Sequence, residues 1–131
     1  MAIERLLEEC RELLREHKYG EAMDVCNEIL KIDLNNKRAL GYKARCLYLL
    51  NECDEALKLL DNALVLYPRN YHCLFIKVEV LMGKEEYGKA IECFEEIFEI
   101  EVDDETVLDF IRMHYETCLR LRIDQLIEGE R

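Results

Sequence analysis

KRALGYKARCLYLLNECDEALKLLDNALVLYPRN, running from Lys37 to Asn70, reads as two short helices joined by a tight turn. Leu40, Ala44, Leu47 and Leu50 recur at steps of three and four and line one helix; Ala56, Leu59, Leu60, Ala63 and Leu64 line the next. Between them Asn51-Glu52-Cys53-Asp54 makes the turn. Asp54 is expected to cap the second helix, its side-chain oxygen accepting from the first free amides. Pro68 closes the stretch, because proline cannot continue a helix. The design repeats on both sides without a gap. Its anchor is an alanine after an acid or a lysine, in Glu21-Ala22, Glu55-Ala56 and Lys89-Ala90, each alanine 34 residues from the next. A fixed period of this size, with a helix-turn-helix in each unit, predicts an all-α solenoid whose units bury their apolar faces against one another.

On the N-terminal side, Ile3, Leu6, Leu7, Cys10, Leu13 and Leu14 mark one amphipathic helix, and His17 to Gly20 break it. A second helix, about 21–32, carries Ala22, Val25, Cys26, Ile29 and Leu30 on one face. On the C-terminal side, Leu74, Val78 and Leu81 precede a turn at Gly83 to Glu86, and Ala90, Phe94, Ile97 and Phe98 follow it. The units run over about 3–36, 37–70 and 71–104. A seventh helix, about 105–127, has an apolar face of Leu108, Ile111, Tyr115, Cys118, Leu119 and Leu126. A solenoid needs a terminal element over its last apolar surface, and this helix is expected to be that cap.

The 131 residues suit one domain. The single proline, five glycines and lack of a long apolar run argue against a sheet protein and against a membrane span. The N-terminus is already amphipathic and acidic, unlike a secretory or transit leader. A formal net charge of −11 disfavours a general nucleic-acid binder. The seven cysteines are odd in number, form no C-x-x-C and fall mostly at apolar helical positions. That is the usage of reduced, buried thiols and predicts a cytoplasmic protein.

The middle unit supplies Leu40, Ala44 and Leu47, then Ala56-x3-Leu60, Ala63 and Pro68; the third supplies Leu74, Val78, Leu81, Ala90-x3-Phe94 and Ile97; the first supplies Leu6, Cys10, Leu13, Ala22-x3-Cys26 and Ile29. In this alternation of small and large residues the chain resembles the tetratricopeptide repeat (TPR) family, with three repeats and a C-terminal solvating helix. It departs from that pattern at Glu9, Lys43 and Lys77, where the family usually has a leucine, and at Leu34 and Val102, which replace the closing proline. The resemblance implies a non-catalytic scaffold for protein–protein interaction.

No G-x-S-x-G, phosphate loop or H-E-x-x-H is present, so the residues give no sign of an enzyme, a metal or a cofactor. His72 and Cys73 are adjacent, but neighbours on a helix point about 100° apart and do not readily share one ion. The acidic stretch from Glu92 to Asp109 lacks the central glycine of a calcium loop and reads as a solvated outer flank. By the resemblance, the first helix of each unit lines a concave groove. The residues expected to meet a ligand there are Leu7, Arg11, Leu14 and Arg15; Arg38, Tyr42, Arg45, Tyr48 and Leu49; and His72, Phe75, Ile76, Glu79 and Met82. Four arginines and one acid in so acidic a chain, among large apolar side chains, point to an acidic, partly apolar peptide or helix. Self-association, with the solvating helix or an end face docking on another copy, is the alternative. The family's clamp for acidic chaperone tails is remoter: at its places stand Leu7, Arg11, Tyr42, His72 and Ile76, of which only Arg11 and His72 could serve.

Overall fold

The computed structural model describes residues 2–130, and among them seven helices and no strand. The helices are α1 (Ala2–Arg15), α2 (Tyr19–Ile32), α3 (Lys37–Leu49), α4 (Cys53–Leu66), α5 (Tyr71–Gly83), α6 (Tyr87–Phe98) and α7 (Glu105–Gly129). Each packs on the next, and α1 also touches α3 and α3 touches α5, so the first helices of successive units form one wall.

The period is written into the turns as well as the core. His17, Asn51 and Glu85 have φ of 61°, 70° and 60°. After each, a backbone amide reaches back five residues: Lys18 N donates to Leu13 O, Glu52 N to Leu47 O and Glu86 N to Leu81 O, at 2.8–2.9 Å. This is the left-handed closure that satisfies the last carbonyls of a helix. The next helix starts at once, and its N-cap positions Lys18, Glu52 and Glu86 make no side-chain cap bond. Asp54 is therefore not the cap the sequence suggests. It lies inside the first turn of α4, and its carboxylate accepts from Lys84 Nζ at 2.8 Å instead. Longer connections lead into α3, α5 and α7, and each ends in a side-chain cap: Asn36 accepts from Ala39 N, Asn70 from His72 N and Cys73 N, and Asp104 from Thr106 N and Val107 N.

Three apolar clusters lie in series. Leu7, Cys10, Ala22, Cys26, Ile29 and Ala39 build the first; Ala44, Leu47, Ala56, Leu60, Ala63 and Ile76 the second; Leu74, Val78, Ala90, Phe94, Ile97 and Ile111 belong to the third. Ala22, Ala56 and Ala90 are fully buried where helices approach closely. Lys77, in place of a family leucine, keeps its charge by pairing with Asp61 Oδ1 of α4 at 2.8 Å. α7 closes the third cluster with Ile111, Cys118 and Tyr115, the last ring lying edge-on to Phe94 and Phe98. Phe98 and Leu126, both expected on covered faces, remain exposed.

Candidate functional site

The side chains of the wall fall in rows because equivalent positions recur every 34 residues. Arg11, Arg45 and Glu79 form one such row; Tyr42, Ile76 and Phe110 form another. Together with the inter-unit connection at Leu66 to Asn70 they enclose an open groove of about 1330 Å³. Eight expected site residues line it: Arg11, Arg38, Tyr42, Arg45, His72, Phe75, Ile76 and Glu79.

The other six do not. Leu7 is 3% exposed and belongs to the first core cluster, and Leu14 packs against the same cluster. Tyr48 lies over Gly83, where a Cβ would come within 2.7 Å of its hydroxyl, and Met82 packs on the third cluster. Arg15 is exposed and paired with Glu12, and Leu49 is exposed outside the groove. Ile76 needs a narrower correction. At 5% exposure it forms the floor, with its Cδ1 against Gly41, and offers a ligand almost no surface. For the covered residues the reason is common: a helix in a solenoid touches its partner and both neighbours, so less of it faces the groove than one helical wheel suggests.

Among the described residues Glu79 is the one carboxylate on the groove lining, against Arg11, Lys37, Arg38, Arg45 and Arg69. Arg45 Nη2 meets Glu79 Oε1 at 2.6 Å. Arg11 sits 3.7 Å from Glu8. The Nε atoms of Arg11 and Arg45 are buried without a hydrogen-bond partner. Lys37 lies over the Tyr67 ring at 4.9 Å, and Lys37, Arg38 and Arg69 make no ion pair among the described residues. His72 stacks on Tyr71 with ring centroids 4.3 Å apart. Burial, then the charges of Arg38 and Arg45, hold its pKa below the usual histidine value. The ring is therefore neutral at pH 7 and able to accept a hydrogen bond. Cys73 faces inward, and burial pushes its thiol up to about 11. Among the described residues no cluster of three His, Cys, Asp or Glu side chains could hold a metal ion.

Reasoning on α1, α3 and α5 missed the fourth helix that lines the groove. Val107, Phe110, Ile111 and His114 of α7 also line the groove. Two signals in the sequence point to it: the capping residues Asn36, Asn70 and Asp104 keep the period, and Phe110 stands 34 residues after Ile76.

Residues 15–97 match the family described as "Anaphase-promoting complex, cyclosome, subunit 3". Over 113 residues the chain is 31% identical to a polyribonucleotide nucleotidyltransferase of Campylobacter lari. That match takes in 82% of this chain and 14% of the relative, so the chain spans about a seventh of that protein's length. Among solved structures, the TPR domain of Sgt2 from Aspergillus fumigatus superposes with a TM-score of 0.82 at 19% identity, over 99% of this chain and 84% of that one. The first TPR of Spaghetti (RPAP3), bound to the HSP90 peptide SRMEEVD, superposes with a TM-score of 0.74 at 17% identity, over 90% and 95%.

Proposed function

This chain belongs to the family of the anaphase-promoting complex, cyclosome, subunit 3, a TPR solenoid, and from that premise we propose that it is a non-catalytic protein-interaction module holding an acidic, partly apolar peptide or helix in its groove. The carrying observation is charge. In a chain of net charge −11, the groove gathers five arginine and lysine side chains against one acid, and that acid is already engaged by Arg45. Lys37, Arg38 and Arg69 then stand ready for carboxylates, and arginine's planar fork suits them. A related fold holding a peptide with two adjacent glutamates and a terminal aspartate lends support. No helix among the described residues is long and apolar enough to cross a membrane, and a cytoplasmic setting fits the seven free thiols.

The test is a peptide array graded in acidic and apolar content, probed with the wild-type chain and with Arg38→Glu at low and high salt. Peptides rich in both features should bind, and should lose about tenfold or more on charge reversal or added salt. Binding indifferent to peptide charge, salt and Arg38 would refute the reading.

A second reading, self-association, has one observation in its favour. Ile123, Leu126 and Ile127 near the end of α7 are exposed. Light scattering at rising concentration tests it: a mass that grows to twice the monomer supports docking between copies, and a constant monomer mass removes it.

A further inference from the structure

We infer that the crease between α5 and α7, walled by Phe75, Val107, Phe110 and His114, is a specificity pocket for one large apolar side chain of the acidic segment held in the groove. The inference rests on the peptide-binding reading above and adds to it a place and a residue type. α7 is then part of the recognition surface as well as the cover of the core.

Phe75 makes the link. It lies on the same α5 face as His72 and Glu79, one helical turn from each, and so borders the charged part of the groove. Its ring also contacts three others: Phe94 beneath at 6.5 Å, Phe110 at 5.6 Å and His114 at 5.4 Å. Phe110 and His114 are 4.3 Å apart, and His114 Nδ1 lies 2.9 Å from the Phe110 carbonyl. A carbonyl only accepts, so that nitrogen carries the proton and the ring is held in place one turn along. Tilted and edge-on contacts between these rings thus fix the walls before any ligand arrives.

Closing the core does not require it. Ile111, the next residue, is 2% exposed and completes the third cluster, whereas Phe110 is 49% exposed. Phe110 lines the groove together with Phe75 and Val107. The cations of the groove lie on α1, α3 and the connection after α4, and α7 adds none to the lining. A bound segment therefore meets charge over α3 and apolar surface over α7. Charge complementarity orients it, and an aromatic or large aliphatic residue beyond its acids falls on Phe110. Aromatic anchors in such pockets carry a large share of binding energy.

The experiment uses two fluorescein-labelled probes: a run of six glutamates, and the same run followed by phenylalanine. Each is titrated against the wild-type chain, Phe110→Ala, His114→Ala and, as a control, Met113→Ala, which alters an exposed α7 residue outside the lining. The added phenylalanine should tighten binding to the wild type and the control by about fivefold or more. That gain, taken for each protein as the ratio of its affinities for the two probes, should vanish in Phe110→Ala, shrink in His114→Ala and persist in Met113→Ala. A gain that survives both substitutions, or no gain at all with binding still sensitive to salt, overturns the pocket and leaves the charged groove standing. Failure of both probes to bind overturns the groove reading itself, and the pocket with it. Thermal melts of each variant confirm that the half-exposed side chains were removed without unfolding the protein.

Discussion

In the groove Arg45 and Glu79 hold each other with both side chains about a third exposed. A pair so wetted contributes only about 0.2–1 kcal/mol to stability. Its larger effect is on recognition, because an incoming carboxylate must compete with Glu79 for Arg45. Glu79→Gln should therefore strengthen binding of an acidic peptide several-fold, about threefold to tenfold from the charge removed. The melting temperature should hardly move. Titration of one labelled peptide against both proteins decides it; unchanged or weaker affinity would mean the ligand never reaches Arg45. His72 carries a pH signature. Its folded pKa is depressed by burial and by Arg38 and Arg45, so protonation as pH falls below about 6.5 costs stability. A bound carboxylate acts the other way and raises that pKa. Acidic-peptide affinity should then rise as pH falls from 7.5 to 6, above the range where carboxylates themselves protonate, and His72→Gln should flatten the profile.

At the scale of the element, the turns between paired helices are the strained points. Glu85 sits at φ 60° without a glycine's freedom. Glu85→Gly should stabilise the protein by about 1 kcal/mol, because an L-residue pays roughly that to enter the left-handed region. Chemical denaturation reads this directly. The helix crossings are the opposite case. Ala56 is fully buried in the middle cluster, and Ala56→Leu forces a larger side chain between packed helices at a cost of about 1–3 kcal/mol. α7 is the third kind of element, an end. Truncation after Asp104 uncovers Phe94 and Ile97, both fully buried beneath it. The shortened chain should aggregate on light scattering; a folded, monodisperse product would show that α6 can close the stack alone.

The whole molecule carries its charge unevenly, and that gives salt two effects of opposite sign. Every acid from Glu92 to Asp109 is exposed, and the net charge is −11. Self-repulsion of this kind destabilises a compact chain, and salt screens it over about 8–10 Å at ordinary ionic strength. Raising salt should thus raise the melting temperature while weakening an acidic ligand held by the groove cations. A melt and a binding titration on the same samples check both signs together.

The periodic alanines and the three-and-four spacing of the apolar residues determined the fold class from the sequence alone. Helix formation and the close approach at Ala22, Ala56 and Ala90 depend on local patterns that every unit repeats. The site was legible only as a face. A helical wheel identifies Arg38, Tyr42, His72 and Phe75, which point away from the paired helix. It cannot tell which of their neighbours the next unit covers. Leu7 and Ile76 were lost to the core for that reason, and Arg45 to Glu79, a partner one full unit away. The placement of Phe110 against Phe75 likewise arises only once the solenoid curves and brings α7 to the groove's edge. Periodicity fixes what each helix is; the packing between units decides which of its side chains remain free to meet a partner.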